Sequence, residues 1–257
     1  MNSVILHKLH AALLMGTLLV PVLQAQEPVY HFTFEDAGLA SSGLVKADAI
    51  PRSPRGREIA PEFAWEDEIG RWACALPMTP DGKQGMELVL PDSADTLRLN
   101  EVADALTISL WLRWEGPDQH GDRRQMIVST LPVNQQTGWA FSVSEEGRLH
   151  FDWRPVDRAA SSRESEAALV PGQWHFIALT WRNDVADSGL QFWIDGQSAG
   201  ITRSFTGGGP LLSNTEEIVI GGTQGFLPLN GRIADVRIFA GALTADDLWQ
   251  LFGKPSH

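Results

Sequence analysis

The run "LTISLWLRW" (Leu106 to Trp114) alternates without a break. Leu106, Ile108, Leu110, Leu112 and Trp114 fall on one face, and Thr107, Ser109, Trp111 and Arg113 on the other. An extended strand gathers the first five on one side, whereas a helical period would spread them around the axis. The chain is thereby committed to burying one face of a sheet. "WHFIALTW" (Trp174 to Trp181) is apolar on both faces, as a central strand covered from two sides must be. In "LQFWIDGQSAG" (Leu190 to Gly200), Leu190, Phe192 and Ile194 share a face before Asp195-Gly196. An Asp-Gly pair after such a run predicts a hairpin, because both central residues of a type I′ turn take positive φ.

Shorter strands are predicted at 30–34, 86–90, 126–130, 140–144, 148–153, 217–221 and 232–239, with "SEEGR", "VPGQ", "TGGGP" and "PLNG" as turns between them. Helical periodicity is confined to the end, where Thr244 precedes "ADDLWQLF" with Asp247 three residues on, an approximate capping box. Ten or more short strands with polar turns predict an all-β chain, an antiparallel β-sandwich or jelly roll with a short C-terminal helix. Two polar connections, 115–125 and 154–173, are longer than a hairpin needs.

Residues 1–25 carry Lys8, an apolar run from Ala11 to Leu23, and Ala25 before Gln26. That pattern reads as a secretory signal peptide, and its apolar run is short for a membrane span. The expectation is a secreted protein, periplasmic or extracellular, with one domain over 26–257 and no membrane span. The single Cys74 cannot form an internal disulfide and reads as a small buried apolar residue. The formal charge of −12 becomes −13 once Lys8 is removed with the leader, and no basic patch interrupts it. Such a surface repels nucleic acid.

Taken in order, "LTISLWLRW", "GWAFSVSEEGRLHF", "LVPGQWHFIALTW", "LQFWIDGQSAG", "EIVIGG" and "GRIADVRIFAGALTADDL" resemble the laminin-G-like jelly roll. This is the concanavalin A-like lectin/glucanase superfamily in its bacterial secreted form. That family typically shows an "SLW" strand, a "GQWHHVALT" strand, an "LYVDG" hairpin and a closing "IDEVRIYNRALS". The resemblance runs from Tyr30 to Phe252. It implies that the last strand returns beside the first and that the closing helix covers one end of the sandwich. It also implies a structural Ca²⁺ where those strands meet, held by Glu35, Asp36 and Asp235, since Ca²⁺ takes six or more oxygen donors. Here the family's "Ile-Asp-Glu/Asp-Val" stands as Ile233-Ala234-Asp235-Val236, one acid short. The alternative is that Asp235 hydrogen-bonds a neighbouring loop.

The fold hosts glycosidases, lyases, sugar-binding modules and adhesion modules, so function has to be read from the site. A retaining glucanase of this kind carries Glu-x-Asp-x-x-Glu or Glu-x-Asp-x-Glu on one strand, with the carboxylates about 5 Å apart. No such run is present. The densest acid cluster, "EFAWEDEIG" (Glu62 to Gly70), has neither that spacing nor a strand pattern. His150 and Asp152 share a strand face, as many surface polar pairs do, and no His spacing suggests zinc. Sugar rings stack on exposed aromatic faces while a few polar groups read the hydroxyls. Trp65, Trp72 and Trp153, near turns or strand ends, are the candidate platforms, whereas Trp111, Trp174, Trp181 and Trp193 read as packing. The expectation is a secreted, non-catalytic recognition domain for polysaccharide or glycoprotein. A protein–protein adhesion module and a divergent glycoside hydrolase or polysaccharide lyase are the competing readings.

Overall fold

The computed structural model describes residues 26–54, 59–91, 93, 105–117, 124–130, 137–154, 159–182, 189–205, 216–223 and 226–253. Residues 1–25, on which the expected signal peptide falls, lie outside them.

The alternating runs form two antiparallel sheets packed face to face. The first contains β1 (Tyr30–Phe32), β3 (Glu62–Glu66), β4 (Arg71–Ala75), β6 (Ala105–Trp114), β11 (Trp174–Arg182), β12 (Leu190–Ile194), β13 (Gln197–Ser198) and β16 (Gly231–Phe239). Its order is β13-β12-β11-β6-β16-β4-β3, with β1 also on β16. The second contains β2 (Ile50–Arg52), β5 (Glu87–Leu90), β7 (Gln125–Ser129), β8 (Gly138–Val143), β9 (Arg148–Arg154), β10 (Ser161–Ala168), β14 (Arg203–Phe205) and β15 (Ile218–Ile220). Its order is β14-β10-β9-β8-β7-β15-β5-β2.

Leu106, Ile108, Leu110, Leu112 and Trp114 enter the core between the sheets, as their alternation requires. They meet Phe141, Leu149 and Phe151 of the second sheet there. Asp195 and Gly196 both have positive φ, 51° and 76°, as the predicted turn demands.

The sequence reading needs three corrections. Glu62–Glu66, taken as patternless, is strand β3, paired Glu62↔Ala75 through Glu66↔Arg71. It lies at a sheet edge with Phe63 packed against the core and Glu62 and Trp65 exposed, a buried face too short to read as alternation. Within the long connection 154–173, Ser161–Ala168 is strand β10, paired to β9 and β14. Its polar "SSRESEAA" carries no apolar period, and the pairing comes from its neighbours. Finally, helix α1 (Ala245–Gly253) lies on the outer face of the first sheet. Leu248, Leu251 and Phe252 pack there on Trp111, Phe176, Trp193 and Phe239, a second apolar layer that also explains why β11 is apolar on both faces. The capping box forms as a reciprocal pair: Asp247 N–H donates to Thr244 Oγ1 (3.2 Å), and Thr244 N–H to Asp247 Oδ2 (2.9 Å).

β1 does pair with β16, Tyr30↔Ile238 and Phe32↔Val236. β4 occupies the same side of β16 one step earlier, at Arg232 to Ala234. The two strands therefore share one edge of β16 in tandem, and Asp235 sits at their junction.

Candidate functional site

The β3–β4 hairpin carries the exposed aromatic site. Trp65 and Trp72 are cross-strand partners, with ring centres 6.2 Å apart and planes at 74°, the favoured edge-to-face arrangement. Trp72 is half-buried against the core, while Trp65 is 52% exposed. The Trp65 Nε1–H donates to Asp67 Oδ1 (2.9 Å), which fixes its indole. Trp153 offers no such face. It is buried, stacked on Phe151 at 5.9 Å and tilted against Trp181 at 5.7 Å, with the Arg163 guanidinium 5.3 Å over its ring. A strand end is exposed only if nothing packs beyond it, and here the opposing sheet does.

Beside this hairpin, at the end of the first sheet, lies an open cleft of about 270 Å³. Glu62, Glu115, Asn230 and Arg232 give it polar groups, and Leu76 and Met78 an apolar wall. Arg232 is paired with Glu66 and Arg113 with Glu115. Glu62 and Glu68 have no ion pair among the described residues. Glu62 lies three residues from Trp65 on β3 and so on the opposite face, and sequence reasoning did not assign this cleft, although the acids of "EFAWEDEIG" were the available signal.

Asp235 has a structural setting. It lies at positive φ (52°), where the β16–β6 register shifts between Ala234 and Arg237, a bulge that turns its side chain to the outer face. Arg71 Nε donates to its Oδ2 (3.1 Å), Arg237 Nη2 lies 2.9 Å from Oδ1, and His31 Nε2 2.7 Å from the same oxygen. Arg237 Nε also lies 3.2 Å from His31 Nε2. The shorter contact sets the tautomer: Nε2–H donates to Asp235, and Nδ1 accepts from Ser42 Oγ (3.1 Å). Burial opposes the Asp235 charge, yet the His31 hydrogen bond and the Arg237 and Arg71 charges outweigh it and hold the carboxyl below the usual carboxylate range. Burial likewise lowers Arg237, partly offset by Asp235.

Cationic side chains already occupy this carboxylate. Glu35 and Asp36 are exposed in a single 3₁₀ turn, and Asp235 is buried with both oxygens engaged by cationic partners. Among the described residues no three acidic, His or Cys side chains form a metal-holding group. A dication at Asp235 would have to displace two guanidinium groups.

The outer face of the second sheet carries a polar panel. One row crosses all eight strands, from Ile50 on β2 through Val219, Ala140 and Asp152 to Phe205 on β14. The adjacent row places Ser142, His150, Glu164 and Arg203 side by side. Each acid there is held by arginine: Asp152 by Arg124, Glu164 by Arg148 and Arg203 (3.5 Å each), and Glu87 by Arg52. His150 Nδ1 lies 3.1 Å from Asp152 and 3.0 Å from Arg124, while the Ser142 hydroxyl is buried without a hydrogen-bond partner among the described residues. Arg124 and Glu164 come from distant segments, and nothing local marks them.

A sequence model of the concanavalin A-like lectin/glucanase superfamily matches residues 85–248. A search of the curated proteins gave no match. Among solved structures, domain 4 of AbnA, a GH43 extracellular arabinanase from Geobacillus stearothermophilus solved in complex with arabinotriose, is similar. The TM-score is 0.60 at 16% identity, over 88% of this chain and 98% of that one. The binding domain of botulinum neurotoxin DC, in complex with rat synaptotagmin II, has TM-score 0.63 at 14% identity, over 90% of this chain. A botulinum neurotoxin type C structure, whose cell entry depends on two ganglioside molecules, has TM-score 0.63 at 12% identity, also over 90%. The chain spans about half of each toxin structure, 52%. At these identities the likeness is one of fold.

Proposed function

The chain belongs to the concanavalin A-like lectin/glucanase superfamily, and from that membership we propose that it is a secreted, non-catalytic domain recognising polysaccharide or glycoconjugate. The observation that carries this reading is Trp65: an indole more than half exposed, braced edge-on by Trp72 and tethered through Nε1 to Asp67. A rigid aromatic face flanked by polar groups gives a sugar ring a surface with little ordering cost.

The arabinanase domain in complex with arabinotriose and the toxin bound by gangliosides lend the reading support by analogy of fold. A non-catalytic role is favoured by the second sheet. Glycoside hydrolysis needs one carboxyl kept protonated beside another that is ionised. On that face Asp152, Glu164 and Glu87 are each paired with an arginine. A protein partner is the second reading, favoured by the toxin domain's complex with synaptotagmin II.

A glycan array probed with the mature chain tests the proposal. Binding to a defined glycan set that falls by about tenfold or more in Trp65→Ala, a change of about 1.4 kcal/mol, is the expected result. Binding to no glycan, or release of reducing sugar that disappears with an acidic-residue variant, would overturn it.

A further inference from the structure

We infer that Asp67 selects the sugar taken at Trp65: its second oxygen accepts a hydroxyl of a neutral ring, and its charge turns away sugars that carry carboxylate or sulfate. This rests on the glycan-recognition reading. Trp65 Nε1 donates to Asp67 Oδ1 at 2.9 Å, which holds the carboxylate against the pyrrole edge of an indole more than half exposed. An ionised carboxylate can accept about four hydrogen bonds. The indole N–H supplies the one that Asp67 makes among the described residues, and the side chain is exposed. Oδ2 therefore keeps its lone pairs for a ligand.

The tether also fixes where that oxygen lies. Both oxygens share one carbon, so Oδ2 sits at the same edge of the indole as Oδ1. A sugar resting on an indole turns its C–H groups to the ring and projects its hydroxyls past the ring edge. Polar groups placed at that edge then set the orientation of the bound unit. A hydroxyl leaving over the pyrrole edge of Trp65 meets an ionised acceptor, the stronger class of hydrogen bond. By register Trp72 and Phe63 share the core-side face of the hairpin with Trp65. The neighbours of the indole on that face are thus aromatic, and the polar contact falls to Asp67.

The same carboxylate sets a sign. Arg71 and Arg232, on the adjoining strands, lie on the opposite face, where they engage Asp235 and Glu66. Asp67 makes no ion pair among the described residues, and the face of an indole is the negative side of its quadrupole. A uronic acid, sialic acid or sulfated unit would bring a second negative charge to this edge, whereas a neutral hexose or pentose would not. Specificity of this kind comes from repulsion of the wrong partner as much as from contact with the right one.

A glycan array printed in matched sets, each neutral glycan beside its sialylated, sulfated or uronic acid counterpart, tests this. The full chain is compared with Asp67→Asn and Asp67→Ala, at low and high salt. The wild type should bind neutral members about tenfold or more tighter than their acidic counterparts, a preference that shrinks as salt rises. Asparagine still accepts the Trp65 N–H, so Asp67→Asn isolates the charge. It should weaken neutral binding about fivefold and bring the acidic members near parity. Asp67→Ala frees the indole as well and should lower neutral binding about tenfold or more. Acidic members bound by the wild type as tightly as neutral ones would overturn the exclusion. Neutral binding, or a neutral-to-acidic ratio, left unchanged in Asp67→Asn would overturn the selective role and reduce Asp67 to a tether. Both results leave glycan recognition standing, whereas an empty array would remove the underlying reading instead.

Discussion

Arg71 Nε donates to Asp235 Oδ2 across 3.1 Å, although the two residues are 164 positions apart. The same guanidinium donates through Nη1 to Ile69 O (2.8 Å) and lies 5.3 Å over the Trp111 ring. One side chain thus joins the turn of the β3–β4 hairpin, the bulge of β16 and the centre of β6. The hairpin that displays Trp65 is anchored through this contact.

Asp235→Asn should therefore destabilise the fold by about 3–5 kcal/mol, because it leaves two buried guanidinium groups without their counter-ion. Asparagine tolerates the left-handed backbone found there, so the loss reports charge and not strain. Chemical denaturation of the two proteins at neutral pH measures it.

The pH dependence has a definite sign. The folded carboxyl of Asp235 is held below its unfolded value of about 3.9. Its contribution is complete above that value and is lost as pH falls through the lower, folded one. The stability gap between wild type and Asp235→Asn should be constant from neutral pH down to about 4 and close below it.

Calcium should leave the thermal midpoint unchanged. A ligand that binds only the folded form raises the midpoint by mass action, and both Asp235 oxygens are already engaged by arginines. Melting curves in calcium and in chelator decide this, and a rise that is lost in Asp235→Asn would reinstate the ion.

Thr244→Ala should cost about 1 kcal/mol by removing one half of the cap on α1. Because Thr244 and Asp247 cap each other, the double alanine variant should cost less than the sum of the single variants. A double-mutant cycle in urea reads that coupling.

Gly196→Ala should destabilise by more than about 1 kcal/mol. The position requires φ of +76°, and a Cβ there would come 2.4 Å from Cε3 of Trp249, lifting α1 from the hairpin. Trp249 fluorescence and the denaturation midpoint should change together.

Much of the fold was legible in the sequence because its signals are local. Alternation in 106–114 told which side chains enter the core, Asp195-Gly196 told where the chain reverses, and Thr244 with Asp247 told where the helix begins. The polar strands β3 and β10 were not legible, because an edge or covered strand held by backbone pairing needs no apolar period. Trp65 and Trp153 were indistinguishable in the sequence for a related reason. Exposure depends on what another segment places over a ring, and only β3 lies at an edge with its indole uncovered.

By itself, then, the sequence determined which residues alternate, where the chain turns and that two sheets close on one apolar layer, since periodicity and turn chemistry act between near neighbours. Tertiary structure decided the order of the strands, which tryptophan stays open and what Asp235 does. Its partners His31, Arg71 and Arg237 come from three strands that meet only once β1 and β4 share one edge of β16. The charge of a buried carboxylate is set by whatever long-range pairing brings within about 4 Å of it, and no local pattern in the chain encodes that.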